Sequence, residues 1–481
     1  MRRDEYAKED ATGLASLIQQ GVVSATEVAT AASDAIAALN PLLNCVVERL
    51  EPTPVDAADA PFYGVPTLIK DFPMVRSMRA EMGSQLAQGF ICQTDSNLWK
   101  RLRKAGFVNL GRTTTSEFGI NAVTETRACG ITRNPWDLSR SVAGSSGGAA
   151  AAVASGMVPV AHGSDGGGSI RNPAAFCGLV GLKPSRGRVS NAPGLVSGLG
   201  GVSHNFMLTR TVRDCAALLD ILAGPCGGDF VELPATAETF TAALTAPARG
   251  LRIALANESW SPTPIAADVA VVINRTAHHL ESLGHHIDIV TAPFDYAEFM
   301  TAQKAIWAVN TRVHITEVAR AMAREPGPEN LQTTSWALYE AGRHVTGEAY
   351  AGALRVAGKI SRQAAALFAG FDLFMSPTAL ITAEPVATVD PDLTGATIDD
   401  VYDQLEAKET FTAPFNITGH PAISLPVGLT KAGLPVGVQL VAGFGKDALL
   451  LQIAATLENG PCWIKDMPVT HLNRLGESVS A

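Results

Sequence analysis

The chain has 481 residues, 47% apolar and 6% aromatic, with 37 Lys and Arg against 46 Asp and Glu for a formal charge of −9. Such a composition suits a close-packed α/β protein and argues against disorder, and an acidic chain without a Lys/Arg cluster makes nucleic acid a poor partner. No apolar run is long enough to cross a bilayer, and "MRRDEYAKEDATG" has no apolar stretch after its basic residues, so the expectation is a cytoplasmic protein without a membrane partner.

Taken in chain order, "GLASLIQQG" reads as a short helix closed by Gly21, and Ser24-Ala-Thr-Glu27 as a capping box opening an Ala-rich helix to Leu39. Residues 1–60 are therefore expected as a helical layer. From Phe62, short apolar runs alternate with helical stretches: "YGVPTLIKD", "SNLWKRLRKAG", "FVNLGRTT", "SSGGAAAAVASG", "MVPVAHGSD" and "LVGLKPS". This is the alternation of a large mixed β-sheet covered on both faces by helices. "CAALLDILAG" is helical, and a Gly/Pro/Thr-rich surface excursion runs from Pro225 to Gly250. A second α/β segment follows, with a strand at "LRIALANE", a helix from Ala266 to Leu283, long helices across "TSWALYEAGRHVTGEAYAGALRVAGKI" and a buried strand at "FDLFMSPT". "AISLPVGL" and "LPVGVQLVAG" form a hairpin backed by the helix "DALLLQIAATLEN". With no repeat or low-complexity linker, one domain over 1–481 is expected, divided into 1–60, a catalytic segment 61–215, a variable segment 225–410 that forms part of a pocket, and a final hairpin and helix over 411–460.

Seven scattered cysteines without a CxxC pair, Cys45, Cys92, Cys129, Cys177, Cys215, Cys226 and Cys462, are expected as buried free thiols and not as disulfides or zinc ligands. His278-His279 and His285-His286 read as a solvated helix face and its exit.

Chemistry concentrates in two glycine stretches. In "SVAGSSGGAAAAVASG", Ser145 and Ser146 stand before a helix, where one serine suits an N-cap but two are unexplained. In "GSDGGGSIRNPAAFCG" three glycines precede Ser169, and the successive N–H groups of Gly166, Gly167, Gly168 and Ser169 can form a concave donor site for an oxyanion. A nucleophilic hydroxyl needs a base. "GSSGG" fits a GxSxG nucleophile elbow with Ser146 at its centre, although none of the ten histidines stands in a distinctive setting. The other candidate is Lys70, at the end of an apolar strand where burial disfavours the ammonium. "GFGKDA" from Gly443 to Ala448 fits a dinucleotide fingerprint, but no acidic residue follows at the required distance. A non-catalytic assembly subunit is a third class.

"GVPTLIKD", "AGSSGGAAAAVASG", "GSDGGGSIRNPAAFCGLVGLKPSRGRVS" and "FTAPFNITGHPAISLPVG" resemble the amidase signature family as far as Asn459. That resemblance implies an amidase signature fold and a Ser-cisSer-Lys triad with Ser169 as nucleophile, Ser145 after a cis bond from the small Gly144, and Lys70 as base. Ser146 then acts as structural support, Asp165 and Arg171 as an ion pair bracing the turn, and neither metal nor cofactor is required. The expected partner is a small amide, the expected assembly a monomer or homodimer.

Ser185 stands where the family more often has threonine. "ALYEAGRHVTGEAY" lacks the pattern by which amidotransferase subunits hold an amino-acid head group, and Glu409 stands near a position where those subunits carry aspartate. The sequence is more similar to aryl-acylamidase and 6-aminohexanoate-cyclic-dimer hydrolase members, in "TRNPWDLSRS" and the Trp336 helix, which implies neutral hydrophobic amides or anilides. Carbamate or ester hydrolysis and the amidotransferase role are the alternatives. Trp136, Trp307, Trp336 and Phe415 are candidate pocket aromatics, and Thr115 and Asn121 stand where the family often lines its cleft.

Overall fold

The computed structural model describes residues 1–53, 58–193 and 198–474. Its centre is an eleven-stranded mixed sheet. Across the sheet lie Val46–Arg49, Val108–Thr113, Pro66–Lys70, Val160–Asp165, His204–Thr209, Val180–Lys183, Ala422–Leu429, Pro435–Ala442, Leu373–Pro377, Arg252–Leu255 and His286–Ile289. Pro66–Lys70 is parallel to both neighbours, so the ends of Pro66–Lys70 and Val160–Asp165 open at one carboxyl edge. That is where open α/β sheets place their ligands.

Local signals act as the sequence suggests. The Ser24 hydroxyl accepts from Glu27 N–H while Glu27 returns to Ser24 N–H, and this capping box starts the helix Ala25–Leu43. The turn after Leu429 closes the antiparallel hairpin Ala422–Leu429 and Pro435–Ala442. The helix Gly147–Ala154 has every residue buried. A helix apolar all round belongs in a core, and its small side chains admit it there: a Cβ on Gly147 would lie 2.5 Å from Val142 Cγ2, and one on Gly148 would lie 2.6 Å from Thr114 N.

Three expectations change. The N-terminal layer contains an edge strand, Val46–Arg49, paired antiparallel with Val108–Thr113. A 27-residue helix, Tyr296–Met322, forms a wall that the sequence reading assigns to no element. His285 is buried, where its Nδ1 accepts from Leu251 N–H. All seven cysteines are free, with Cys129 and Cys226 only partly buried. Among the described residues no helix is long and apolar enough to cross a membrane.

Candidate active site

Lys70 closes a strand buried at every position, and its side chain is fully enclosed. Its Nζ lies 2.6 Å from Ser145 Oγ, 3.0 Å from Ser146 Oγ and 2.9 Å from Ser164 Oγ. Among the described residues no carboxylate pairs with it, and the nearest ring, Phe72, lies with its centroid 5.0 Å away. Burial lowers the Lys70 pKa to about 7, against the opposing pull of the Asp165 charge. An amine in that range exchanges protons near neutrality.

Ser145 follows a cis peptide bond from Gly144. A Cβ at position 144 would sit 2.7 Å from Val123 N and 2.8 Å from Val123 C, so glycine alone fits against that backbone. The N-cap reading of the paired serines does not hold. Ser146 precedes the Gly147–Ala154 helix, yet its hydroxyl caps nothing. Instead it donates to Ser164 O and accepts from Ser164 N–H, each at 3.2 Å.

Residues 166–169 link the strand Val160–Asp165 to the helix Arg171–Cys177. Gly168 has φ +140°, where a side chain is strained. None of the N–H groups of Gly166, Gly167, Gly168 and Ser169 donates to a described residue. Ser146 N–H donates to Ser169 O at 3.2 Å, which ties the two serine turns together. Ser169 is buried, and its hydroxyl makes no hydrogen bond to a described residue.

Asp165 and Arg171 pair at Nε–Oδ2 2.9 Å and Nη2–Oδ1 2.8 Å, both fully buried. Burial pushes the Asp165 carboxyl up, but the Arg171 charge and hydrogen bonds hold it well below the usual carboxylate range. Arg171 also donates to Thr412 O, Gln439 Oε1 and Asn416 Oδ1. The late "FTAPFN" stretch thereby reaches the serine loop.

Beside this loop lies a narrow apolar cavity walled by Ile120, Trp307, Leu338, Tyr402, Leu405 and Glu409. A Cβ on Gly166 would lie 2.9 Å from the Trp307 ring, and one on Gly167 would lie 2.5 Å from Glu409 Oε2. Glu409 receives no hydrogen bond from a described residue, and burial, then the Asp165 charge, pushes its pKa up to about 8. Trp307 Nε1 and both amide atoms of Asn121 are buried without partners among the described residues. A wider depression, lined by Arg186, Asn191 and Phe230 among others, includes none of the residues around Lys70.

The pocket aromatics therefore separate. Trp307 lines the cavity. Trp336 stacks on Tyr339 at the edge of the same apolar cluster. Trp136 is corrected to the core: it covers Gly178 at the far end of the Arg171–Cys177 helix, and its Nε1–H donates to Cys177 O. Phe415 is likewise core, packed against Trp260 and Phe374. Thr115 turns its hydroxyl back to Ser116 O. Ser164, Asn172, Thr412 and Asn416 are not singled out from the sequence, although Ser164 and Asn172 stand inside "GSDGGGSIRNPAAFCG" and Thr412 and Asn416 inside "FTAPFNITGHPAISLPVG". Among the described residues no group of three His, Cys, Asp or Glu could hold a metal.

A profile described as Amidase matches residues 27–451. The chain is 35% identical over 478 residues to the 6-aminohexanoate-cyclic-dimer hydrolase of Paenarthrobacter ureafaciens, covering 96% of each. It is similar to a solved 6-aminohexanoate cyclic dimer hydrolase complexed with substrate at TM-score 0.89, with 33% identity over 96% of this chain and 99% of that one. A bacterial aryl acylamidase of the amidase signature family aligns at TM-score 0.85, with 26% identity over 95% and 96% of the two chains.

Proposed function

The chain belongs to the amidase signature family, whose members hydrolyse amide bonds, and from that premise we propose that it cleaves neutral, fairly hydrophobic amides through an acyl-enzyme on Ser169. The observation that carries this reading is the enclosed Lys70 amine, held 2.6 Å from Ser145 Oγ without a carboxylate partner among the described residues.

A neutral amine has two N–H donors and one lone pair. Ser146 gives its hydroxyl proton to Ser164 O, so it accepts from Lys70, and Ser164 Oγ takes the second N–H. The lone pair is left for Ser145. Lys70 then accepts the Ser145 proton while Ser145 accepts that of Ser169, a contact that forms once the Ser169 hydroxyl turns toward Ser145, and Ser169 Oγ bonds to the substrate carbonyl carbon. The carbonyl oxygen gains the negative charge and is met by the N–H groups of residues 166–169, each such donor being worth about 2.7–4 kcal/mol in the transition state. Collapse breaks the C–N bond, the relay returns its proton to the leaving amine, and water clears the ester by the same route.

The apolar cavity supports an alkyl or aryl acyl group, and the unpartnered Glu409 supports a substrate carrying a second N–H, as in an oligomeric amide. Asn121 offers a further unpartnered amide. Esters fit the same relay and differ only in the leaving group, whereas carbamates fit it with a second heteroatom on the carbonyl carbon, so that the serine adduct is a carbamate if C–O breaks and a carbonate if C–N breaks. The test is turnover of a panel of p-nitroanilides, aliphatic amides, bis-amides and aryl carbamates, with mass spectrometry of the trapped protein. An acyl adduct on Ser169 is expected. Turnover with the label elsewhere overturns the assignment, and a stable complex with a second polypeptide without turnover favours the amidotransferase or assembly roles.

A further inference from the structure

We infer that Thr412 is a positioning residue which aims the amides of the Gly166–Ser169 loop, its hydroxyl holding the Gly167 carbonyl so that the Gly168 N–H faces the reacting carbonyl oxygen. The inference rests on the proposed oxyanion role of this loop. In a trans peptide unit the C=O and the following N–H point in opposite directions, so fixing one fixes the other. Glycines impose no direction of their own, because their backbone populates both signs of φ.

The protein supplies direction from behind. Thr412 Oγ1 donates to Gly167 O at 2.5 Å, which turns the Gly168 N–H to the opposite side. Asn416 Nδ2 donates to Asp165 O at 2.9 Å and sets the Gly166 N–H in the same way. Asn172 N–H donates to Gly168 O at 2.7 Å and sets that of Ser169. Three carbonyls of the loop are thus tied by hydrogen bonds, while none of the four N–H groups of residues 166–169 donates to a described residue. Thr412 is fully buried, and its own carbonyl is held by Arg171 Nη1 at 2.9 Å. It therefore has little freedom to let the loop turn.

The test compares Thr412→Val, which keeps the shape and removes the donor, with Thr412→Ser, which keeps the donor. With hexanoyl-p-nitroanilide, Thr412→Val is expected to lower kcat about 100-fold, the size of losing one oxyanion donor, with KM within about twofold. Pentylboronic acid, which forms a tetrahedral anion on the serine, should lose affinity by a similar factor. Thr412→Ser should restore both to within about threefold. Should the valine variant not fold, Thr412→Ala carries the same comparison. A wild-type kcat in a folded donorless variant, or a loss in KM alone, overturns the inference while leaving the hydrolase reading intact. A wild-type protein that neither turns over amides nor binds the boronate overturns both.

Discussion

A carboxylate placed beside Lys70 tests whether its neutral form is the base. Ser164 is the site, because its Oγ lies 2.9 Å from Nζ and it belongs to neither serine turn. A lysine brought from 10.5 to about 7 has its neutral form favoured by about 5 kcal/mol, which raises the uncharged fraction at pH 7 on the order of 10³-fold. Ser164→Asp reverses part of this gain. At an effective dielectric of about 20, opposite charges about 3 Å apart attract by about 5 kcal/mol before desolvation, and such pairs move a pKa by about 1–3. If Lys70 acts deprotonated, kcat/KM of the native protein should rise with pH through about 7. In Ser164→Asp that limb should move to about 8–10, with activity at pH 7 lower by about 5- to 500-fold and recovering in alkali. Ser164→Asn, neutral and of similar shape, keeps its limb near that of the native protein. The assay is the pH profile of kcat/KM on one p-nitroanilide for all three proteins. An acid limb that stays in place in a folded Ser164→Asp protein refutes the argument for a neutral lysine.

Ser169→Ala should abolish turnover and the acyl adduct, Lys70→Ala should nearly abolish turnover, and Ser145→Ala should cost several orders of magnitude through loss of the relay, all read by steady-state kinetics. Gly144→Ala places a Cβ 2.7 Å from Val123 N; it should lose about 1–3 kcal/mol of stability by denaturant unfolding, together with activity. Glu409→Met removes the acceptor in the cavity wall. It should raise KM about tenfold for a bis-amide, the worth of one hydrogen bond, while leaving KM within about twofold for a mono-amide of the same length; equal changes for both would remove Glu409 from recognition.

What could be read from the sequence was local. The Ser24–Glu27 capping box, the final hairpin and the two glycine turns each show in a few adjacent residues, and the Lys70 strand is a short apolar run whose last position is charged. The Tyr296–Met322 helix escaped because it buries residues on several sides, Phe299, Ile306, Trp307 and Ile315 among them, and so lacks a one-sided stripe. Val46–Arg49 is four residues long, too short for a period to emerge. Aromatic identity predicts burial and not which space a ring borders, which explains Trp136 and Phe415. Thr412 touches Gly167 across 245 positions, a contact that no local pattern encodes.

That long reach bears on how the protein comes into being. Lys70, Ser145 and Ser169 have all been synthesised well before Thr412, Asn416 and Gln439 leave the ribosome, yet Arg171, besides its pair with nearby Asp165, donates to acceptors on all three of those later residues. A growing or prematurely terminated polypeptide carries the proposed reactive residues without the contacts behind them. The long-range contacts that hold the Gly166–Ser169 loop from behind therefore form only after residues 412–439 have been synthesised.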